Sequence, residues 1–175
     1  SAAGTYYVTV TDANGCTASD TVVVSYASST SDCNELFFSE YIEGSASNKA
    51  LEIFNPTHSD IVLDGKYEVH IYKDGSSQPV NKITLKGTIG SKETYFLVYK
   101  YADMALQWYA DYVSSYLFFN GDDAITLVKI DNGNKTIIDM IGDFNGDPGT
   151  GWPYSGVGHS TVDKTLVRKP ETTQG

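Results

Sequence analysis

The chain has 175 residues, 22 acidic and 12 basic side chains for a formal charge of -10, and 22 aromatic residues (13 Tyr, 7 Phe, 2 Trp). This length suits one or two domains that bury about two thirds of their unfolded surface without disulfide staples, and the aromatic content excludes a disordered tail. The acid excess argues against a phosphate-binding surface of clustered Lys and Arg, so no nucleic-acid partner is expected, and no apolar run is long enough to predict a membrane span.

The first 32 residues carry Asp12, Asp20 and Asp32 but no Lys or Arg. Tyr6, Val8 and Val10 alternate with Tyr7, Thr9 and Thr11, Asp12 to Gly15 supply turn residues, and the alternation resumes from Thr21 to Tyr26. We therefore expect a β-hairpin over 1–27 and, from the Ala-Ser-Thr run, a linker over 28–34. A two-stranded hairpin is marginal alone in water, so it must dock on the rest of the chain, on a neighbouring molecule or on upstream sequence. The opening Ser1-Ala2-Ala3, with Met104 the first methionine, suggests a processed chain or a piece of a longer one. Cys16 and Cys33 form neither a CxxC pair nor a zinc-ligand set, and the sequence leaves open whether they bond to each other.

From residue 35 onward, short alternating runs recur between Gly, Asn, Asp and Pro. Strands are expected over 36–42, 50–55, 67–72, 83–85, 95–99, 117–119, 124–130, 136–141 and 165–169. Short strands at this spacing predict an all-β sandwich or barrel over 35–175, in which alternate residues meet in one core. Residues 102–109 lack β-branched side chains and place Leu106 and Tyr109 at helical spacing, so a short crossover helix is expected there. The stretch from Gly142 to Val162, with six Gly and two Pro, reads as an irregular loop.

Several polar groups are candidates for chemistry. Asp143, Asn145 and Asp147 are alternate oxygen donors of the kind calcium prefers, although Pro148 and Tyr154 stand where a helix-loop-helix site wants Gly and Glu; the competing reading is Asx turns in a glycine-rich loop. Asp139, set among Ile137, Ile138, Met140 and Ile141, is expected to point inward and to need a partner, which Lys164 or Arg168 could supply. Glu40 and Glu43 fall on opposite faces of one strand, a poor arrangement for a glycosidase pair. His159, Ser160 and Asp163 lack the setting of a hydrolytic triad, and Gly149 to Trp152 lacks the remainder of a nucleotide loop. Trp152 and Tyr154 lie in the irregular loop and are the candidate ligand-binding residues; the alternative is that they cover an open end of the sandwich.

Three blocks in order, Leu36 to Asn55, Phe119 to Lys129, and Gly149 to Trp152 with Asp163 to Lys169, resemble bacterial lamin-tail domains. Residues 4–17 are similar to the last two strands of the immunoglobulin-like repeats of bacterial surface adhesins, in which a cysteine at the place of Cys16 commonly pairs with an earlier one. The resemblance implies an immunoglobulin-like sandwich accompanying secreted or surface-attached hydrolases and nucleases, with any catalytic domain outside this module. Family members tend to continue past Lys169-Pro170 with a Trp-containing segment. Its lack here implies a vacant sheet edge that the N-terminal hairpin could cover, in cis or by edge pairing or strand exchange in a dimer.

The expectation is thus a noncatalytic binding or spacer module of an exported bacterial protein, secreted or at the cell surface. Its expected partner is a protein or polysaccharide. The alternatives are a calcium-stabilised carbohydrate-binding or adhesion domain, and a metal-dependent hydrolase using Asp139, Asp143 and His159.

Overall fold

The computed structural model describes residues 4–24, 35–154 and 160–175, and the chain divides into two compact units, Ser1–Asp32 and Cys33–Gly175. The boundary falls inside the predicted linker.

In the first unit, β1 (Gly4–Thr11) and β2 (Thr17–Val24) pair antiparallel from Gly4↔Val24 to Thr11↔Thr17. Asp12 makes the turn. Its Oδ1 accepts the N–H groups of Asn14 and Cys16, while Gly15 adopts φ +85°. Cys16 is exposed, and Cys33 lies outside the described residues, so the question of their pairing does too.

The second unit is an all-β sandwich. Its strands are β3 (Phe37–Glu43), β4 (Lys49–Phe54), β5 (Ile61–Val62), β6 (Tyr67–Tyr72), β7 (Asn81–Thr84), β8 (Thr88–Ile89), β9 (Thr94–Tyr99), β10 (Tyr112–Ser114), β11 (Ala124–Asp131), β12 (Asn134–Ile141) and β13 (Lys164–Val167). One sheet has five strands in the order β10-β9-β4-β3-β13, the other four in the order β12-β11-β6-β7, and β5 pairs with β8 alone. Alternation supplies the core: Leu51 and Ile53 of β4, Leu97 of β9, Val69 and Ile71 of β6, and Ile125 and Leu127 of β11 meet in one buried cluster.

The helix is shorter than expected. The single turn α1 (Met104–Gln107) begins at Asp103, whose carboxylate accepts the Ala105 N–H. It bridges β9 and β10, the one parallel pair among the described strands, as a crossover. Ala102, Leu106 and Ala110 pack over Ala50 and Val98 on the outer face of the five-stranded sheet. Tyr109 does not share that face, because the helix stops before it, and its ring is exposed.

The predicted strand at 117–119 is an extended connection without a ladder partner. Leu117 and Phe119 are buried and Tyr116 and Phe118 exposed, so the alternation was legible; the segment carries the chain from one sheet to the other and belongs to neither. The three-residue β10, too short for a periodic signal, was not anticipated.

Two irregularities place the side chains of the site. Between β3 and β4 the register slips at Ser39, so that Phe38 and Tyr41, rather than Phe38 and Glu40, both face the core. Between β11 and β12 it slips at Ile138, which sets Asp139 opposite the inward-facing Leu127.

Candidate functional site

Asp139 links the two sheets. Only 5% exposed, it accepts the backbone N–H of Phe38 at 2.7 Å, a donor turned out of the β3–β4 ladder beside the bulge, and it pairs with the Arg168 guanidinium at 2.5 Å. Arg168 also lies over the Phe37 ring, and its backbone N–H reaches the Ser39 carbonyl. Burial raises the Asp139 pKa, and Arg168 and the backbone N–H groups offset that only in part. The inward direction and the Arg168 partner agree with the sequence expectation.

A second buried ion pair joins Glu43 to Lys49, with Glu43 also accepting the Asp163 N–H. Glu43 is therefore a structural anchor at the start of β13. Glu40 sits on the other face, across from Glu52, and burial followed by repulsion from Glu52 raises its pKa.

The irregular loop is fastened by Trp152 and Thr161. The Trp152 indole N–H donates to the Asp123 carbonyl at 3.0 Å, and its ring lies so close to Gly142 that a Cβ there would overlap it; Gly142 is also at φ +77°. Thr161 is buried, donates to the Gly121 carbonyl at 2.6 Å, accepts the Trp152 N–H at 2.7 Å, and offers its own carbonyl to the Tyr41 hydroxyl. Thr161 carried no sequence signal, since a lone Thr in a glycine-rich loop is indistinguishable from a turn residue.

Beside this fastening, a cleft of about 550 Å³ opens between the outer strands β13 and β12. Tyr41, Met140, Trp152 and Leu166 form its apolar walls, Tyr154 stands exposed at its margin, and Arg168 and Lys169 supply positive charge. Both candidate ligand residues thus line one cleft. The Trp152 indole is in addition packed on Gly142 and hydrogen-bonded to Asp123, so it has a structural role.

Asp143, Asn145 and Asp147 lie on the neighbouring loop. Asp143 Oδ1 accepts the Asn145 N–H at 2.8 Å and Asp147 Oδ1 accepts the Gly149 N–H at 2.7 Å, which are Asx turns. Among the described residues no group of three or more His, Cys, Asp or Glu side chains could hold a metal ion. For the hydrolase alternative, Asp139 is committed to Arg168, Asp143 is exposed on its own turn, and His159 lies outside the described residues.

At the Asn120–Asp123 turn, Asp123 is buried, accepts the Asn120 N–H through Oδ2, and leaves Oδ1 without a partner. Burial is the main cause that raises its pKa to about 6; Asn120 and Lys73 oppose the shift and Asp122 adds to it. On the outer face of the four-stranded sheet, Glu68 bridges His70 at 2.7 Å and Lys135 at 2.5 Å, and desolvation lowers the His70 pKa. Neither cluster lines the cleft.

Comparison with protein-family models, with curated proteins and with solved structures finds no match to this chain.

Proposed function

We propose that residues 35–175 form a lamin-tail-like, immunoglobulin-type binding module of an exported bacterial protein, and that the cleft between β13 and β12 is where it holds a surface polymer or a protein segment. The observation that carries this reading is the cleft itself. Aromatic and apolar walls with a few convergent polar groups suit binding, and the cleft holds Trp152 and Tyr154 together. Asp139, outside the lining, is spent on Arg168 and the Phe38 N–H, which favours a structural role for it over proton transfer, and the carboxylate that lines the cleft is Glu40. The lamin-tail part of the reading is supported by the three residue blocks above, and secretion or surface attachment follows from the same resemblance.

The test is an NMR titration of the whole chain with soluble cell-wall oligosaccharides and with capsular polysaccharide fragments, following the two indole N–H resonances. Trp152→Phe assigns them. Binding in the cleft moves the Trp152 resonance and leaves that of Trp108 in place. If none of these polymers, nor a set of extended peptides, moves the Trp152 resonance, the cleft is not the binding site.

A further inference from the structure

A different face of the sandwich carries a second interaction surface. Of fourteen exposed large hydrophobic side chains among the described residues, seven fall between positions 101 and 118. Tyr101, Met104, Trp108, Tyr109, Tyr116 and Phe118 are six of these seven, with Trp108 82% and Tyr109 75% exposed.

The backbone beneath these rings is well fixed. Asn48 Oδ1 accepts the Asp103 N–H at 2.8 Å, Gln107 Nε2 donates to the Ala102 carbonyl at 2.7 Å, and Asn81 Nδ2 donates to the Tyr116 carbonyl at 2.9 Å. Tyr99 packs against both Tyr101 and Phe118 with centroids 5.5 Å away, and Lys73 Nζ lies 4.4 Å above the Phe118 ring. Rings held on a fixed backbone lose little conformational entropy when covered.

The area decides what can cover them. An aromatic side chain buries about 150–250 Å² in full, so five rings exposed between 43% and 82% offer roughly 500–800 Å², to which Met104 and Val113 add. The largest apolar patch of a typical monomer is about 300–600 Å², whereas a stable interface takes about 800 Å² from each partner.

Charge and backbone geometry favour a second copy of this chain. β10 ends the five-stranded sheet, and no described strand pairs with its outer edge, so the matching occupant includes another strand. Two molecules of charge -10 repel, and they approach most readily through a face with little net charge. Residues 99–118 carry the charged side chains Lys100, Asp103 and Asp111, and with Lys73 over the Phe118 ring two cations balance two carboxylates. Both carboxylates are tied to backbone N–H groups, Asp103 to Ala105 and Asp111 to Phe96. A twofold axis beside β10 would put the same edge and the same uncharged rings from each copy in contact.

We infer that the α1–β10 face is a homodimer interface, formed by two copies meeting beside β10 with the aromatic rings of residues 101–118 buried between them.

Sedimentation velocity of the whole chain tests this. At about 100 μM, well within the range of interfaces this size, the expected mass is about 38 kDa, twice 19.1 kDa. Trp108→Glu and Tyr109→Glu, each replacing an exposed ring, are expected to give a monomer with unchanged circular dichroism and melting temperature. Tyr154→Glu, in the cleft, is expected to leave the dimer intact. A wild-type chain that stays monomeric at this concentration overturns the inference. So does a dimer that survives both ring substitutions, or one abolished by Tyr154→Glu. A monomer whose Trp108 resonance shifts with an added oligosaccharide assigns the face to that occupant instead.

Discussion

Replacing Asp139 tests the link between the sheets. Asp139→Ala removes the acceptor of the buried Phe38 N–H and the partner of Arg168. An orphaned buried donor costs about 1–3 kcal/mol. Loss of the ion pair adds only about 1 kcal/mol, because the Arg168 side chain is 30% exposed and can turn to water, and because burial already raises the Asp139 pKa despite the pair. The sum is about 2–4 kcal/mol. Asp139→Asn keeps an oxygen for the Phe38 N–H and forfeits the charge alone, so it should cost about 1 kcal/mol. Urea unfolding followed by far-ultraviolet circular dichroism, with slopes compared between variants, measures both. The diagnostic quantity is the gap between Ala and Asn. Costs equal to within about 0.5 kcal/mol would refute the idea that the Phe38 hydrogen bond, rather than the ion pair, joins the sheets.

Asp123 titrates near 6 in the fold against 3.8 unfolded, so its contribution to stability is present at low pH and is lost as pH rises through about 6; this amounts to at most about 3 kcal/mol. Asp123→Asn should therefore gain on the wild type between pH 5 and 7 in urea titrations, and a constant difference would count against the raised pKa. Protonating His70, whose pKa is lowered, acts the other way, with stability lost as pH falls below about 6.5, so His70→Gln should flatten that limb of the stability profile. Gly142→Ala meets both a positive φ and the Trp152 indole, and should lower stability by about 2 kcal/mol or more while shifting the Trp152 resonance. With the Asp143 and Asp147 carboxylates held in Asx turns, millimolar calcium is expected to leave the melting temperature as it is in chelator; a clear rise would restore the calcium reading.

Much of the architecture was written in short-range pattern. Alternation at β4, β6, β9 and β11 marks both the strands and their inward faces, because a strand's period of two needs no information from elsewhere in the chain. The Asp12 to Gly15 turn and the glycine-rich loop were legible for the same reason. Asp139 among isoleucines announced a buried charge in need of a partner, and Arg168 was one of two cations that could answer it.

Where each strand would lie was a different matter. Nothing local tells Leu117 to Phe119 that it crosses between sheets, or gives the three residues of β10 a neighbour in parallel. Bulges at Ser39 and Ile138 reverse the facing of every later side chain on their strands, and the pairing partner creates them. Trp152 and Tyr154 were visible as aromatics in a loop, but Met140, Leu166 and Lys169 joined them only when β12 and β13 became the outer strands on one side of the sandwich. Residue type and period by themselves determined most of the longer strands, the class of fold and the buried acid in want of a base. The tertiary structure decided the cleft and the exposed aromatic face, because both arise from which edges and surfaces remain uncovered after non-local strands have paired.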